Sequence, residues 1–211
     1  MPKIVCLSDT HNCGEQIIVP DGDILIHAGD ATIRGTIDEI ISFNEWFANL
    51  PHTYKVFVAG NHDWLFETNN LYAQSLLDKS IIYLQDSGAE IEGLKIYGSP
   101  WQPRFFDWAF NLTRGAELAK KWKLIPADTY IIITHGPPFG ILDDVPRQYF
   151  IENTGCEELR KRVETFKPKL HIFGHIHCGY GTTEELGVKF VNASNCDKSY
   201  EPTNAPIVID L

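Results

Sequence analysis

Ile24-Leu25-Ile26-His27-Ala28-Gly29-Asp30 is a short apolar run that ends abruptly on a glycine and an acid. It is too short for a helix, and its leucine and β-branched residues suit a strand buried on both faces. A carboxylate placed where such a strand meets its loop is held rigidly, and the glycine lets other groups approach closely. Asp30 is therefore the expected centre of a metal site. Four further strand-like runs end the same way: Ile4 to Leu7 into Ser8-Asp9-Thr10-His11, Val56 to Ala59 into Gly60-Asn61-His62-Asp63, Ile131 to Thr134 into His135-Gly136, and Leu170 to Phe173 into Gly174-His175-Ile176-His177. Five strand ends carry residue types that ligate metals.

Between these runs lie helix signals. Thr36-Ile37-Asp38-Glu39 has the capping-box pattern, a Thr that satisfies an exposed N–H and a Glu three residues on that reaches back, so a helix is expected through about Ala48. Thr154-Gly155-Cys156-Glu157 repeats the pattern before a helix to about Phe166. Shorter helical stretches are expected near Leu71 to Asp78 and Gly115 to Trp122, and strands at Tyr54 to Ala59 and Ile81 to Leu84. Ala89 to Tyr97 alternates polar and apolar residues about Gly93, the pattern of a hairpin with one wet face. Strands near Thr182 to Leu186, Val188 to Ala193 and Ile207 to Asp210 close the chain. Early strands alternate with helices and later ones run hairpin-like, which predicts an α/β fold of mixed sheets covered by helices. The 211 residues are enough for one domain, 1–211, with a well-buried core.

The chain carries 18 basic and 28 acidic residues, a net charge of −10, with no Lys/Arg cluster. Long nucleic acid is a poor substrate for such a surface, because binding a polyphosphate backbone relies on a basic stripe and counterion release. Five cysteines, an odd number without a C-x-x-C, and no secretory signal point to reduced thiols in the cytoplasm. Cys178 follows His177 directly, yet a thiol among carboxylate, amide and imidazole groups is expected to be structural. No apolar run approaches the roughly 20 residues of a membrane span. Nothing in the composition bears on oligomeric state.

In order and at strand ends, Asp9-x-His11, Gly29-Asp30, Gly60-Asn61-His62-Asp63, His135 and Gly174-His175-x-His177 resemble the five-part signature of the calcineurin-like metallophosphoesterase superfamily. More narrowly, Ile96-Tyr97-Gly98-Ser99-Pro100-Trp101, Thr134-His135-Gly136-Pro137-Pro138 and Pro202-Thr203-Asn204 resemble the metallophosphoesterase-domain family of brain and foetal type, related to class III cyclic-nucleotide phosphodiesterases. The resemblance implies a four-layer α/β/β/α sandwich with two divalent metal ions at one edge of its sheets. It assigns Asp9, His11, Asp30 and His177 to one ion, and Asp30, Asn61, His135 and His175 to the other. It also implies a phosphodiesterase for small diesters, with 2′,3′- or 3′,5′-cyclic nucleotides as the expected substrates.

The chemistry asks for the same residue types. Two ions about 3.5–4 Å apart need a bridging ligand, and a carboxylate with two oxygens can bridge where an imidazole cannot. A mixed N/O donor set suits Mn, Fe or Zn better than calcium. A hydroxide between the ions would attack phosphorus in line, and the leaving alkoxide would need a proton. His62 is the expected general acid, with Asp63 placed to orient its ring. Arg34 falls where Gly-Asp-x-x-x-Arg-Gly phosphatases hold phosphate, although Ile33 replaces the acidic residue of that pattern. In the aromatic stretch 99–111, Trp101, Phe105, Phe106 and Trp108 can stack a base or pack the loop, and one or two, Trp101 foremost, are expected at the pocket with Phe139. His27 and His171 lie inside apolar runs and read as core histidines, and His52 as an exposed loop residue. The alternatives are a phosphomonoesterase or protein phosphatase, which Arg34 favours, and a non-catalytic scaffold, which the intact ligand set argues against.

Overall fold

A computed structural model describes residues 2–211. Its strands are β1 (Lys3–Leu7), β2 (Ile24–His27), β3 (Tyr54–Phe57), β4 (Ile81–Tyr83), β5 (Ser87–Ile91), β6 (Leu94–Ser99), β7 (Gln102–Pro103), β8 (Asn111–Leu112), β9 (Ile131–Thr134), β10 (Asp144–Pro146), β11 (Ile151–Asn153), β12 (Leu170–Phe173), β13 (Gly181–Glu185), β14 (Val188–Asn192) and β15 (Ile207–Asp210). The helices are α1 (Ile37–Asn49), α2 (Trp64–Thr68), α3 (Asn70–Ser75), α4 (Ala116–Trp122) and α5 (Glu157–Phe166).

One sheet has the order β15-β1-β2-β3-β4, parallel except for β15, which runs antiparallel to β1. The other has the order β13-β14-β12-β9-β6-β5, with a parallel centre and an antiparallel strand at each edge. Alternation along each strand sorts side chains between two layers. Ile4, Cys6, Ile24 and Ile26 of the first sheet meet Ile131, Ile133, Leu170 and Ile172 of the second in one buried cluster. Val5, Leu7, Leu25 and Phe57 point outward onto Ile40, Phe43 and Phe47 of α1 and Phe66 of α2. On the far side Ile132, Phe173 and Phe190 pack on Leu118 and Trp122 of α4 and Leu159 and Val163 of α5. Double-sided burial explains why the central strands read as continuous apolar runs, and the layers are α/β/β/α as the resemblance implied.

The first capping box forms: Thr36 Oγ1 accepts from Glu39 N–H, and Glu39 Oε2 accepts from Thr36 N–H. The second does not. Cys156 caps α5, its Sγ accepting from Leu159 N–H at 3.4 Å, while Thr154 Oγ1 donates to the Asp143 carbonyl and Glu157 pairs with Arg114. A polarizable sulfur can accept a weak hydrogen bond, and here it is buried beside Trp122. The short helical stretch expected near Leu71 to Asp78 forms as α3, while α2 just before it and the hairpin of β10 and β11, which carries no clear alternation, were not expected. His52 is buried rather than exposed, with its Nε2 2.9 Å from the Pro20 carbonyl.

Candidate metal centre

All the expected ligands lie where parallel strands end, on loops that leave β1, β2, β3, β9 and β12 on the same side. The loop after β1 continues the ladder onto the loop after β2: Asp9 N–H donates to Gly29, His11 N–H to Asp30 and Asn12 N–H to Ala31. Turning the chain this tightly puts Asp9, His11, Asp30 and His175 at φ of 52°, 42°, 55° and 68°. Left-handed backbone at a residue with a Cβ costs on the order of 1 kcal/mol, and such outliers gather at functional sites. Close approach fixes one glycine: a Cβ on Gly174 would lie 2.0 Å from both Asp9 Oδ2 and Ser8 Oγ.

The side chains converge. Asp9, His11 and His177 offer donor atoms within 4.8 Å of one another, and so do Asp30, His135 and His175. Asp30 Oδ2 lies 3.3 Å from His135 Nε2 and 3.9 Å from His11 Nε2, so its carboxylate stands between the two groups. Asn61 Oδ1 is 2.9 Å from His135 Nε2. Second partners set the tautomers: the Nδ1 atoms of His11, His135 and His177 lie 3.2, 3.0 and 2.7 Å from the carbonyls of Thr32, Ala28 and Asp197. A carbonyl only accepts, so these Nδ1 atoms carry protons and each Nε2 faces inward, a metal donor once it is unprotonated.

His11 Nε2 and His177 Nε2 are consequently 3.3 Å apart. Two bare lone pairs this close would repel, so positive charge belongs between these rings, and either a proton on His177 or a metal ion supplies it. The ionisation pattern agrees. Burial pushes His11 down to about 4 and His175 to about 3. Burial also opposes charge on His135 and His177, but Asp30 and Asp9 outweigh it and raise both to about 9. Burial disfavours ionised Asp9 and Asp30 as well, and the surrounding histidines reverse that and hold both well below the usual carboxylate range. Each carboxylate thus draws positive charge onto a neighbouring histidine, His177 beside Asp9 and His135 beside Asp30.

His62 sits at the rim. Its Nδ1 donates to the Ile33 carbonyl at 2.7 Å, its Nε2 lies 3.9 Å from Asp30 Oδ2, and its ring stacks on Trp108 at 4.1 Å. Asp63 does not orient that ring. Its buried carboxylate accepts from Thr32 N–H, Thr32 Oγ1, Ala31 N–H and Gly60 N–H, clamping the loops that carry Asp30 and Asn61. Burial first, then the nearby Asp30 charge, raises it to about 6.

The ligand atoms open into a cleft of about 460 Å³ whose wall includes Asp30, Asn61, His62, Trp108, His175 and His177. Trp101 is elsewhere: its indole N–H donates to Asp86, Lys121 covers its ring, and it packs on Phe110. Phe139 is 40% exposed and outside the cleft wall, which Gly136 and Pro137 form instead. Arg34 is also outside it, in an adjoining cleft on the other side of His62. Cys178, expected to be structural, is exposed on the cleft wall with its Sγ 3.0 Å from the Asp144 carbonyl. Sequence reasoning missed Tyr200, whose ring meets those of His11, His62 and His177 edge-on at 4.6, 5.9 and 5.8 Å. It also missed Arg104, Arg114, Arg147 and Lys198 on the cleft wall, of which Arg114 and Arg147 are paired with Glu157 and Glu152. Of the aromatic residues expected to stack or pack, Phe105 and Trp108 line the cleft.

Comparison with known proteins agrees with this geometry. Metallophosphoesterase domain-containing protein 1 of Homo sapiens is 46% identical over 233 residues, spanning 99% of this chain and 71% of that protein. A UPF0046 protein of Caenorhabditis elegans is 41% identical over 98% of this chain and 74% of its own length. Among solved structures, phosphopantetheinyl hydrolase from Mycobacterium tuberculosis superposes with a TM-score of 0.65 at 15% identity, covering 97% of this chain and 95% of that one, a likeness of fold. The model of the calcineurin-like phosphoesterases matches residues 2–179, and with ligand sets converging at its strand ends the chain belongs to that family of metal-dependent phosphoester hydrolases.

Proposed function

We propose that the protein is a two-metal phosphodiesterase acting on small diesters, cyclic nucleotides included. The observation that carries this reading is the two donor groups Asp9–His11–His177 and Asp30–His135–His175, with the Asp30 carboxylate within 3.9 Å of His11 and His62 at their rim. Asp9, His11, Asp30 and His177 would hold one divalent ion, and Asp30, Asn61, His135 and His175 the other, in Mn, Fe or Zn form. Bound there, the ions supply charge neutralisation at the phosphoryl group and activation of water.

The remaining work falls to the chain. Asp30 keeps the two ligand sets in register. His62 keeps its Nδ1 proton on the Ile33 carbonyl, so the proton it delivers to the leaving oxygen comes from Nε2, and the ring returns to the neutral form. Trp108 on one face and Tyr200 on its edge shield that ring from bulk water. Arg34 does not support the monoester alternative, because the guanidinium expected to hold a phosphomonoester dianion stands outside the main cleft.

We further take residues 1–211 as one domain, since β15 pairs with β1, and the five free thiols as belonging to the cytoplasm. Its partner is a small nucleotide-like substrate rather than long nucleic acid or a membrane. The test is kcat/KM for a nitrophenyl phosphodiester divided by that for the nitrophenyl monoester, in Mn with a metal-stripped control. A ratio well above one that Asp30→Asn abolishes is expected. A ratio below one transfers the assignment to monoester or protein phosphatase chemistry, and failure to retain metal supports the scaffold.

A further inference from the structure

Beyond His62 lies a second cleft of about 380 Å³, lined by Ile33, Arg34, His62, Trp64, Trp108 and Tyr200. It shares His62, Trp108 and Tyr200 with the main cleft, so these three rings form the wall where the two spaces meet. The second cleft has two indoles, a phenol and one exposed guanidinium, whereas the main cleft adds to the shared Trp108 and Tyr200 the cations Arg104, Arg114, Arg147 and Lys198, of which Arg114 and Arg147 are paired with Glu157 and Glu152. An acyclic phosphodiester has two organic substituents, and these are two chemically different places to put them; a cyclic nucleotide has one, carrying its leaving oxygen and its base together.

We infer that the second cleft is the subsite for the leaving group, and that it selects a planar aromatic or heteroaromatic one of nucleoside type. The inference rests on the phosphodiesterase reading. The leaving oxygen must come within hydrogen-bond reach of the group that protonates it, so the departing substituent lies against His62. Rings on this wall offer π-faces and edges, which stack any planar ring system, and Arg34 can stack or donate to ring heteroatoms.

The wall is tied to the proton donor. Ile33 supplies the carbonyl that holds His62 Nδ1, so the hydrogen bond that orients the acid also places Ile33 and Arg34. Gly35, at φ 64°, lets this loop lie flat on the Asp63–Trp64 backbone, where a Cβ would come within 2.3 Å of Trp64 N. Glu39 braces it from behind, accepting from Arg34 N–H and Thr36 N–H through Oε2 and from Asn12 Nδ2 through Oε1. The subsite is thus held by the N-terminus of α1 and by the loop that carries His11.

The test compares methyl phenyl phosphate with methyl hexafluoroisopropyl phosphate, whose leaving groups have comparable acidity and different shape. Stacking predicts that the wild-type enzyme in Mn favours the phenyl diester by on the order of tenfold in kcat/KM. Trp64→Leu should reduce that preference below threefold, Arg34→Ala should reduce it partly, and Trp64→Phe should retain most of it. Calorimetric titration with adenosine gives a readout independent of turnover, in which Trp64→Leu should weaken binding at least fivefold and Trp64→Phe less than twofold. An unchanged aryl preference together with unchanged adenosine binding in Trp64→Leu, with native circular dichroism, overturns the subsite. If both diesters are inert while phenyl phosphate is hydrolysed, the diesterase reading fails, and the same comparison on the two monoesters, with the adenosine titration, decides the subsite.

Discussion

Replacing His171 with glutamine should make the protein more resistant to acid. His171 is fully buried in β12, and its Nε2 lies 2.8 Å from Thr134 Oγ1. Thr134 Oγ1 spends its own proton on the Gly136 carbonyl at 2.7 Å, so His171 must donate from Nε2 and keep an unprotonated Nδ1. That Nδ1 has no partner among the described residues, and a second proton there would be a charge in the core without an acceptor. Burial accordingly lowers the pKa to about 3 from 6.5. Because the folded pKa is the lower one, the unfolded chain binds more protons between these values, so the stability is whole above pH 6.5 and is lost as pH falls. From 6.5 down to pH 5 is 1.5 units, and at about 1.36 kcal/mol per unit the loss is about 2 kcal/mol for this one ring. His27, with its Nε2 against Thr10 Oγ1 and its Nδ1 accepting from Gly29 N–H, is also lowered to about 3 by burial and adds a similar amount. Urea unfolding of both proteins in chelator at pH 7 and pH 5 isolates the His171 contribution, since every other group is shared. His171→Gln should lose about 2 kcal/mol less than wild type over that interval. Equal losses would refute the assignment of a neutral, Nε2-protonated His171.

His62→Ala should lower kcat about 10²- to 10⁴-fold on diesters with alkoxide leaving groups and far less on nitrophenyl esters, which leave without a proton. Because His62 also approaches His11 and Asp30 within ligand range, bound metal is measured in parallel, and a fall in metal content would mark it as a ligand instead. Gly174→Ala should remove metal without touching a donor, because the new methyl occupies the place of the Asp9 carboxylate. Metal content indistinguishable from wild type in folded Gly174→Ala would show that the loop yields.

Much of the centre was legible because each piece is local. A buried parallel strand writes itself as an apolar run, and the residue after it must be where the chain turns, so Asp9, Asp30, Asn61, His135 and His175 could be placed at strand ends from spacing alone. Residues that surround the ions were harder. Tyr200 meets His11 from the far end of the chain, and no pattern near either residue records the contact. Trp101 and Trp108 share one loop and one chemistry; the short pairing of Gln102 with Asn111 helps set the loop that carries Trp108 to the cleft while Trp101 packs away from it. Asp63 looked like a partner for its neighbour His62, yet the turn points its carboxylate back to Thr32 and Gly60. Adjacency in sequence says nothing about direction at a tight turn.

Donors to the centre are divided between the two sheets: Asp9, His11, Asp30 and Asn61 follow strands of one, and His135, His175 and His177 follow strands of the other. At the same edge the sheets are stitched by the bridge between Ser8 and Ser194 and by Asn195 N–H donating to the Ser8 carbonyl. The expected ligand sets each draw on both sheets, so an ion bound there would tie the two halves of the sandwich together. Metal supply then becomes a mechanical variable as well as a catalytic one. Each tenfold rise in free metal above the dissociation constant would add about 1.4 kcal/mol per site against separation of the sheets, and a chelator would loosen the body of the protein as well as silence it.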